Sequence, residues 1–377
     1  MSVVERSSDE LVAGISAWIA CESPSHDPAS LEAMAAIVEA HGRAAGLTVR
    51  RIDLGPQTGP ALVLSNRAPD DQRTGLLLLA HYDTVHPVGT LERNALRVED
   101  GKLYGPGTYD MKAGTYLALT ALGDLSAAGS TAMPVDFLIV PDEELGSTWS
   151  RGLIESHARS AKYVLVCEPA RANTGHCVTA RKGTGLVSVV AHGRPAHAGV
   201  AHEKGRSAIR ELCHQILALE AMTDYAADVT VSVGKIEGGT TTNVVPDYAR
   251  AVADFRVPTP EAGERLLAKM RALTSVDPAV RIEVVAKMNR PPMTRTEAVG
   301  KLLTTVQALA AEVGMNLQEA PMTGGGSDAN FAAAVGVPAL DGLGAEGDGA
   351  HTLFEHVIVA TLAQRLAFWQ LMLHKLV

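Results

Sequence analysis

Apolar and polar positions fall into two rhythms along the chain. Gly75-Leu-Leu-Leu-Leu-Ala80 is wholly apolar and stops at His81-Tyr-Asp83, the pattern of a central strand buried on both faces. Residues 135–140 and 163–167 repeat it, ending at Pro141-Asp-Glu143-Glu144 and at Glu168-Pro169. Residues 47–54 and 61–66 read as further strands, and 97–104, with Asp100-Gly101 inside, as a hairpin. Helical periodicity fills the gaps. Ser7-Ser-Asp-Glu10 is a capping box opening a first helix, and Asp27-Pro28 opens a second that stops near Gly46. A third follows the Gly105-to-Gly114 loop and runs to about Leu125.

The pattern changes from Gly183 to about Arg290. Strands at 186–192, 229–236, 248–256 and 280–286 and helices at 205–222 and 260–273 give the order β-α-β-β-α-β, a compact split-βαβ unit. Along 248–256 the small face of Ala249, Ala251, Ala253 and Phe255 should lie under the helices, and the face of Arg250 and Arg256 should look outward. Arg290-Pro-Pro-Met293 reads as a linker. The earlier rhythm then returns, with a helix at 297–313, the Gly-rich Thr323-to-Asp328 segment and a strand at 337–340. A loop at 342–349 leads to His351, and a last helix runs from about His356. The expected fold class is α/β: a discontinuous domain of residues 1–183 and 291–377 with a mixed central sheet flanked by helices, interrupted by a ferredoxin-like α+β domain at 184–290.

Composition narrows the partners. A 377-residue chain with 46% hydrophobic and 20% charged residues is ordinary for a globular protein of two domains. Its net charge of -9 argues against nucleic acid and anionic membrane as partners. Cys21, Cys167, Cys177 and Cys213 form no CxxC pair and read as reduced thiols. No apolar run suits a bilayer span. Acidic rather than basic residues precede the apolar stretch at 11–20, so the expectation is a cytoplasmic protein without a signal peptide, or a periplasmic one if a leader has been removed.

Three successive apolar strands ending in His/Asp, Glu/Glu and Glu make coincidence a poor explanation. The candidates are His81, Asp83, Asp110, Glu143, Glu144, Glu168 and His351. Taken alone, Asp110 also suits a helix cap and an acidic doublet also suits a solvated surface. Carboxylates gathered in one cleft repel one another unless a cation sits among them. Imidazole and carboxylate without thiolate suit zinc, cobalt or manganese. Two histidines and three carboxylates can hold two such ions, with one carboxylate bridging. One further carboxylate must stay off the metals to serve as base.

These residues resemble the two-zinc M20 metallopeptidases, and among them the glutamate carboxypeptidases of the carboxypeptidase G2 type. His81-Tyr-Asp83-Thr-Val matches HxDTV, Gly105-to-Lys112 matches GxGxxD(M/D)K, and Asp142-to-Ser147 matches DEExGS. Glu168-Pro169, Gly324-Gly-Gly-Ser-Asp328 and His351 also fit, so the resemblance covers nearly the whole chain. It implies that His81 and Glu168 bind one zinc, Glu144 and His351 the other, and Asp110, in a cis bond to Met111, bridges both. It makes Glu143 the general base and acid and Asp83 the residue that orients His81. Glutamate at 168 fits the carboxypeptidase and deacylase branches better than the aminopeptidases.

The same resemblance reaches the inserted domain. Gly193-Arg-Pro-Ala-His197-Ala-Gly199 is similar to the segment whose histidine crosses a dimer interface to polarise the scissile carbonyl. Gly238-to-Pro246 carries Asn243, implied to bind substrate, as are Gly325 and Gly326. Asp254-Phe-Arg256 matches a D-x-R whose arginine grips a substrate carboxylate, a reading preferred here to a surface salt bridge with Asp254. Ala196 departs from the usual serine, and Pro141-Asp142 from threonine-aspartate. The implied protein is a homodimer joined through its inserted dimerisation or lid domain. It releases a C-terminal amino acid, glutamate above all, from peptides, folates or N-acyl glutamates. The alternative is an N-acyl-amino-acid deacylase of the acetylornithine or succinyl-diaminopimelate type with the same metals.

Overall fold

The computed structural model describes residues 4–68 and 70–377, and these divide into two compact units. One unit runs up to Ala180 and resumes over Arg295–Thr323 and Ser327–Val377; the other is Arg181–Thr294 with Gly324–Gly326.

The first unit is built on a six-stranded mixed sheet flanked by helices. Its order is Thr48–Ile52, Ala61–Ser65, Val135–Val140, Gly75–His81, Ala161–Val166, Ala339–Leu340, the last four parallel. Every residue of Gly75–His81 is buried, as an all-apolar run between two helical layers requires. The capping box at Ser7 and Glu10 opens the helix Ser8–Ile19, and Asp27 caps Pro28–Ala44. Ala113–Ala127 lies almost wholly in the core beside the C-terminal helix Leu362–Lys375. Its start passes so close to other backbone that only glycine fits at 114: a Cβ there would stand 2.4 Å from the Cys167 carbonyl oxygen.

Two corrections concern local elements. The last helix begins at Leu362, not His356, because His356–Ile358 is drawn into a strand pairing with Lys102–Tyr104. Pairing with a distant segment here overrides a helical period that continues unbroken through the sequence. The crossover between Val135–Val140 and Ala161–Val166 carries a helix, Arg151–Arg159, and a short helix Ala329–Ala334 follows Asp328; neither was predicted.

The second unit is a four-stranded antiparallel sheet, ordered Thr230–Gly238, Tyr248–Val257, Gly183–His192, Arg281–Arg290, with the helices Ala208–Glu220 and Pro260–Arg271. Ala249, Ala251, Ala253 and Phe255 are buried with Leu212, Leu266 and Met270, and the alternate residues of that strand are more open. Ala196–His197 pairs with Val244–Val245 in a small ribbon. Arg181 and Met293 exchange backbone hydrogen bonds at the base. No helix among the described residues is long and apolar enough to cross a membrane.

Candidate metal centre

Parallel strands end together, so the groups at their carboxyl ends converge. His81 terminates the central strand with its ring buried. Its Nδ1 lies 2.9 Å from the Asp83 carbonyl oxygen, which fixes the tautomer and turns Nε2 inward. Nε2 stands 3.3 Å from Asp110 Oδ1 and 3.8 Å from Glu168 Oε1. His351, held at φ 64°, places Nε2 3.3 Å from Asp110 Oδ2 and 3.4 Å from Glu144 Oε2. The two oxygens of Asp110 thus face two different histidines. The Asp110–Met111 peptide bond is cis. Ligand atoms of His81, Glu143 and Glu168 lie within 4.8 Å of one another, as do those of His81, Asp110 and Glu144.

The electrostatics describe a site short of positive charge. Burial drives the Glu168 carboxyl well above the usual carboxylate range, with the charges of Asp110 and Glu143 adding to it. Burial likewise raises Glu144. Burial pulls His81 down, but its bonds to Asp110 and Asp83 outweigh this and hold its imidazolium well above the ordinary histidine value. Hydrogen bonds to Asp110 and Glu144 push His351 up to about 11. Carboxylates gathered this closely repel one another, and divalent cations would neutralise the cluster. Glu144 Oε1 is buried with no hydrogen-bond partner, an acceptor that a cation would satisfy. Imidazole nitrogens with carboxylate oxygens fit ions of the zinc, cobalt and manganese type.

Asp83 is fully buried, and its carboxylate serves the acidic doublet more than the imidazole. Oδ1 accepts from the Glu143 N–H at 3.1 Å; Oδ2 accepts from the Glu144 N–H at 3.2 Å and from Ser25 Oγ at 2.7 Å. His81 Nδ1 is 3.4 Å from Oδ1, behind its shorter contact with the Asp83 carbonyl. Ser25 was not foreseen, since a serine in a polar loop carries no periodic signal. Its backbone bridging to Thr84 puts it beside Asp83.

The remaining candidates lie in the second unit. His197 is exposed, and its Nδ1 accepts from the N–H groups of Gly199 (3.1 Å) and Val200 (3.2 Å), leaving Nε2 as the protonated nitrogen. Asn243 adjoins it on the ribbon, its carbonyl oxygen accepting from the Ala198 N–H. Arg256 forms a two-point pair with Asp254, at 2.7 and 2.8 Å, and donates to the Gly324 carbonyl oxygen at 3.2 Å. The Gly325 carbonyl oxygen accepts from Arg181 at 3.0 Å. Gly326 leaves no room for a Cβ, which would stand 2.9 Å from the Arg290 side chain.

Comparison with known proteins gives a consistent picture. The model of peptidase family M20/M25/M40 matches residues 77–375. The chain is 33% identical over 295 residues to carboxypeptidase G2 of Pseudomonas sp. (strain RS-16), covering 77% of this chain and 71% of that protein. It is 32% identical over 277 residues to acetylornithine deacetylase of Myxococcus xanthus, covering 68% and 71%. Among solved structures, aminopeptidase PepT from Bacillus cereus superposes with a TM-score of 0.78 at 25% identity, over 97% of this chain and 98% of that one.

Proposed function

The chain belongs to peptidase family M20 and is a hydrolase of carbon–nitrogen bonds, and from that premise we propose that it is a two-metal carboxypeptidase. It releases a C-terminal amino acid, glutamate in the first instance, from N-acyl amino acids or peptides. The observation that carries this reading is Asp110, whose two oxygens stand 3.3 Å from His81 on one side and 3.3 Å from His351 on the other. His81 and Glu168 would hold one cation and His351 and Glu144 a second, with Asp110 contributing to both. Zinc would suit these donors, with cobalt or manganese as substitutes. When bound, such a pair polarises an amide carbonyl and acidifies a water.

The chain's own groups do the rest. Glu143, whose N–H is fixed by Asp83, takes a proton from the attacking water and delivers it to the leaving amide nitrogen. His197 donates a hydrogen bond from its Nε2–H to the carbonyl oxygen in the site of a second copy, the inserted unit serving as dimerisation and lid domain. Arg256 exchanges Asp254 for the substrate's free carboxylate, a trade between two equivalent two-point pairs. Asn243, Gly325 and Gly326 line the substrate.

A second reading is supported by the likeness to acetylornithine deacetylase, at 32% identity. On that reading the same centre removes a small acyl group from an amino acid, as a deacylase of the acetylornithine or succinyl-diaminopimelate type. A panel assayed on zinc-loaded protein separates the two. Cleavage of aroyl- or pteroyl-glutamate in preference to N-acetyl and N-succinyl amino acids supports the carboxypeptidase; the reverse order supports the deacylase. Glu143→Ala should keep both metals and lose about 10²–10⁴-fold in kcat.

A further inference from the structure

One buried carboxylate close to the centre has no part in the chemistry above. Glu355 is fully buried, four residues beyond His351. Its Oε1 accepts from the N–H groups of Tyr109 at 2.8 Å and Asp110 at 2.9 Å. Its Oε2 accepts from the N–H of Gly107 at 2.8 Å and from His86 Nε2 at 2.7 Å. All four donors are filled from one side chain, and its own carbonyl oxygen accepts from the Gly105 N–H at 3.3 Å.

The donors come from two places in the chain, and each adjoins a group of the metal cluster. His86 follows the His81-to-Asp83 turn. Gly107, Tyr109 and Asp110 form the loop that presents the central carboxylate. Glu355 itself stands on the segment that presents His351, and the adjoining His356–Ile358 strand pairs with Lys102–Tyr104 just before that loop. One carboxylate therefore ties together the three segments that carry His81, Asp110 and His351. The loop is shaped for this tie. Gly107 sits at φ 69°, and a Cβ there would meet Thr84 Cγ2 at 2.5 Å.

We propose that Glu355 is the positioning residue of the centre: it holds the Asp110 backbone so that the two Asp110 oxygens stay aimed at the two histidines. The proposal rests on the reading of Asp110 as the ligand shared by two cations. Only a carboxylate meets the requirement. Two donors converge on each oxygen, so an amide in its place must turn its NH2 toward a backbone N–H that cannot accept, Gly107 on one side or Tyr109 and Asp110 on the other. Aspartate is one methylene too short to reach either pair. Fixing the shared ligand to a few tenths of an ångström is what residues behind metal ligands do, and losing one typically costs about 10–100-fold in affinity or activity.

The test compares wild type and Glu355→Gln, stripped by chelator and titrated with cobalt(II), reading the visible d–d absorption together with kcat and KM. The substrate is whichever N-acyl amino acid the wild type cleaves best. The expected result is a variant that folds, binds cobalt(II) about 10–100-fold more weakly with an altered absorption band, and loses kcat by a similar factor while KM stays within about two-fold. A merely structural role would lower thermal stability and leave the band and kcat of the loaded protein unchanged, which would overturn the proposal. If Glu355→Gln does not fold, His86→Leu and His86→Gln take its place. Leucine removes one of the four donors and should shift the cobalt(II) band and lower kcat; glutamine restores a donor and should recover much of the loss. Equal behaviour of both with wild type overturns the proposal. A wild type that takes up no cobalt(II) refutes the two-cation reading and this role with it, whereas normal uptake by wild type and variant alike refutes this role alone.

Discussion

Asp83→Asn is the substitution whose outcome the geometry defines most closely. The change preserves shape and replaces one oxygen with an NH2. In the native site Oδ1 receives Glu143 N–H, and Oδ2 receives Glu144 N–H and the Ser25 hydroxyl. The hydroxyl can turn and become an acceptor, but the two backbone N–H groups cannot. Whichever way the amide points, one of them loses its partner in a fully buried place, at about 1–3 kcal/mol. The bond that remains loses its charge assistance, a further loss of about 1 kcal/mol. The sum, on the order of 3 kcal/mol, lowers the thermal midpoint of the metal-free protein by about 4–6 °C. Because one N–H of the acidic doublet, Glu143 or Glu144, is no longer held, kcat of the zinc-loaded variant should fall about 10–100-fold. Differential scanning calorimetry of the stripped protein and initial-rate kinetics of the loaded protein measure the two effects. A midpoint within about 2 °C of wild type, with kcat within about two-fold, would refute the reasoning that this carboxylate aims the acidic doublet.

Three further outcomes follow from other residues. His41, half-buried against the rings of Trp18 and Tyr116, is pushed down to about 4 by burial and then by Arg6. Its folded value lies below its unfolded one, so the unfolded chain takes the proton first. Stability is intact above about pH 6.5 and falls by on the order of 2–3 kcal/mol as pH drops toward 4; His41→Gln should flatten that part of the urea-midpoint profile, and an unchanged profile would contradict it. Arg256→Lys keeps the charge and loses the fork, so KM for a C-terminal carboxylate substrate should rise about ten-fold or more with kcat nearly constant. Mixing inactive Glu143→Ala and His197→Ala proteins should restore about a quarter of wild-type sites if His197 acts across a two-fold interface; no recovery after subunit exchange argues that it does not.

Much of the centre was readable because strand ends concentrate chemistry. His81, Glu143, Glu144 and Glu168 each follow an apolar run, and parallel pairing of Gly75–His81 with Val135–Val140 and Ala161–Val166 brings those ends side by side. The groups that hold these side chains in place were not readable. Ser25 and Glu355 are polar residues in loops, and their importance lies in hydrogen bonds to residues 58 and 245 positions away in the chain. An acidic residue four places after His351 was the one available hint, and spacing alone does not separate it from a solvated glutamate. The misplaced start of the last helix has the same origin: Val357 and Ile358 fit either period, and the partner strand at Lys102–Tyr104 decides. Arg256 is paired with Asp254, so substrate recognition by Arg256 requires that pair to open.

The most direct test of the two-cation centre is a count of metal per chain by plasma mass spectrometry, with activity followed as zinc returns to chelator-stripped protein. The account predicts two equivalents bound and hydrolysis recovered as they fill, with Asp110→Asn holding fewer. Full activity in the stripped protein, or a chain that never retains more than a trace of divalent metal, would contradict it.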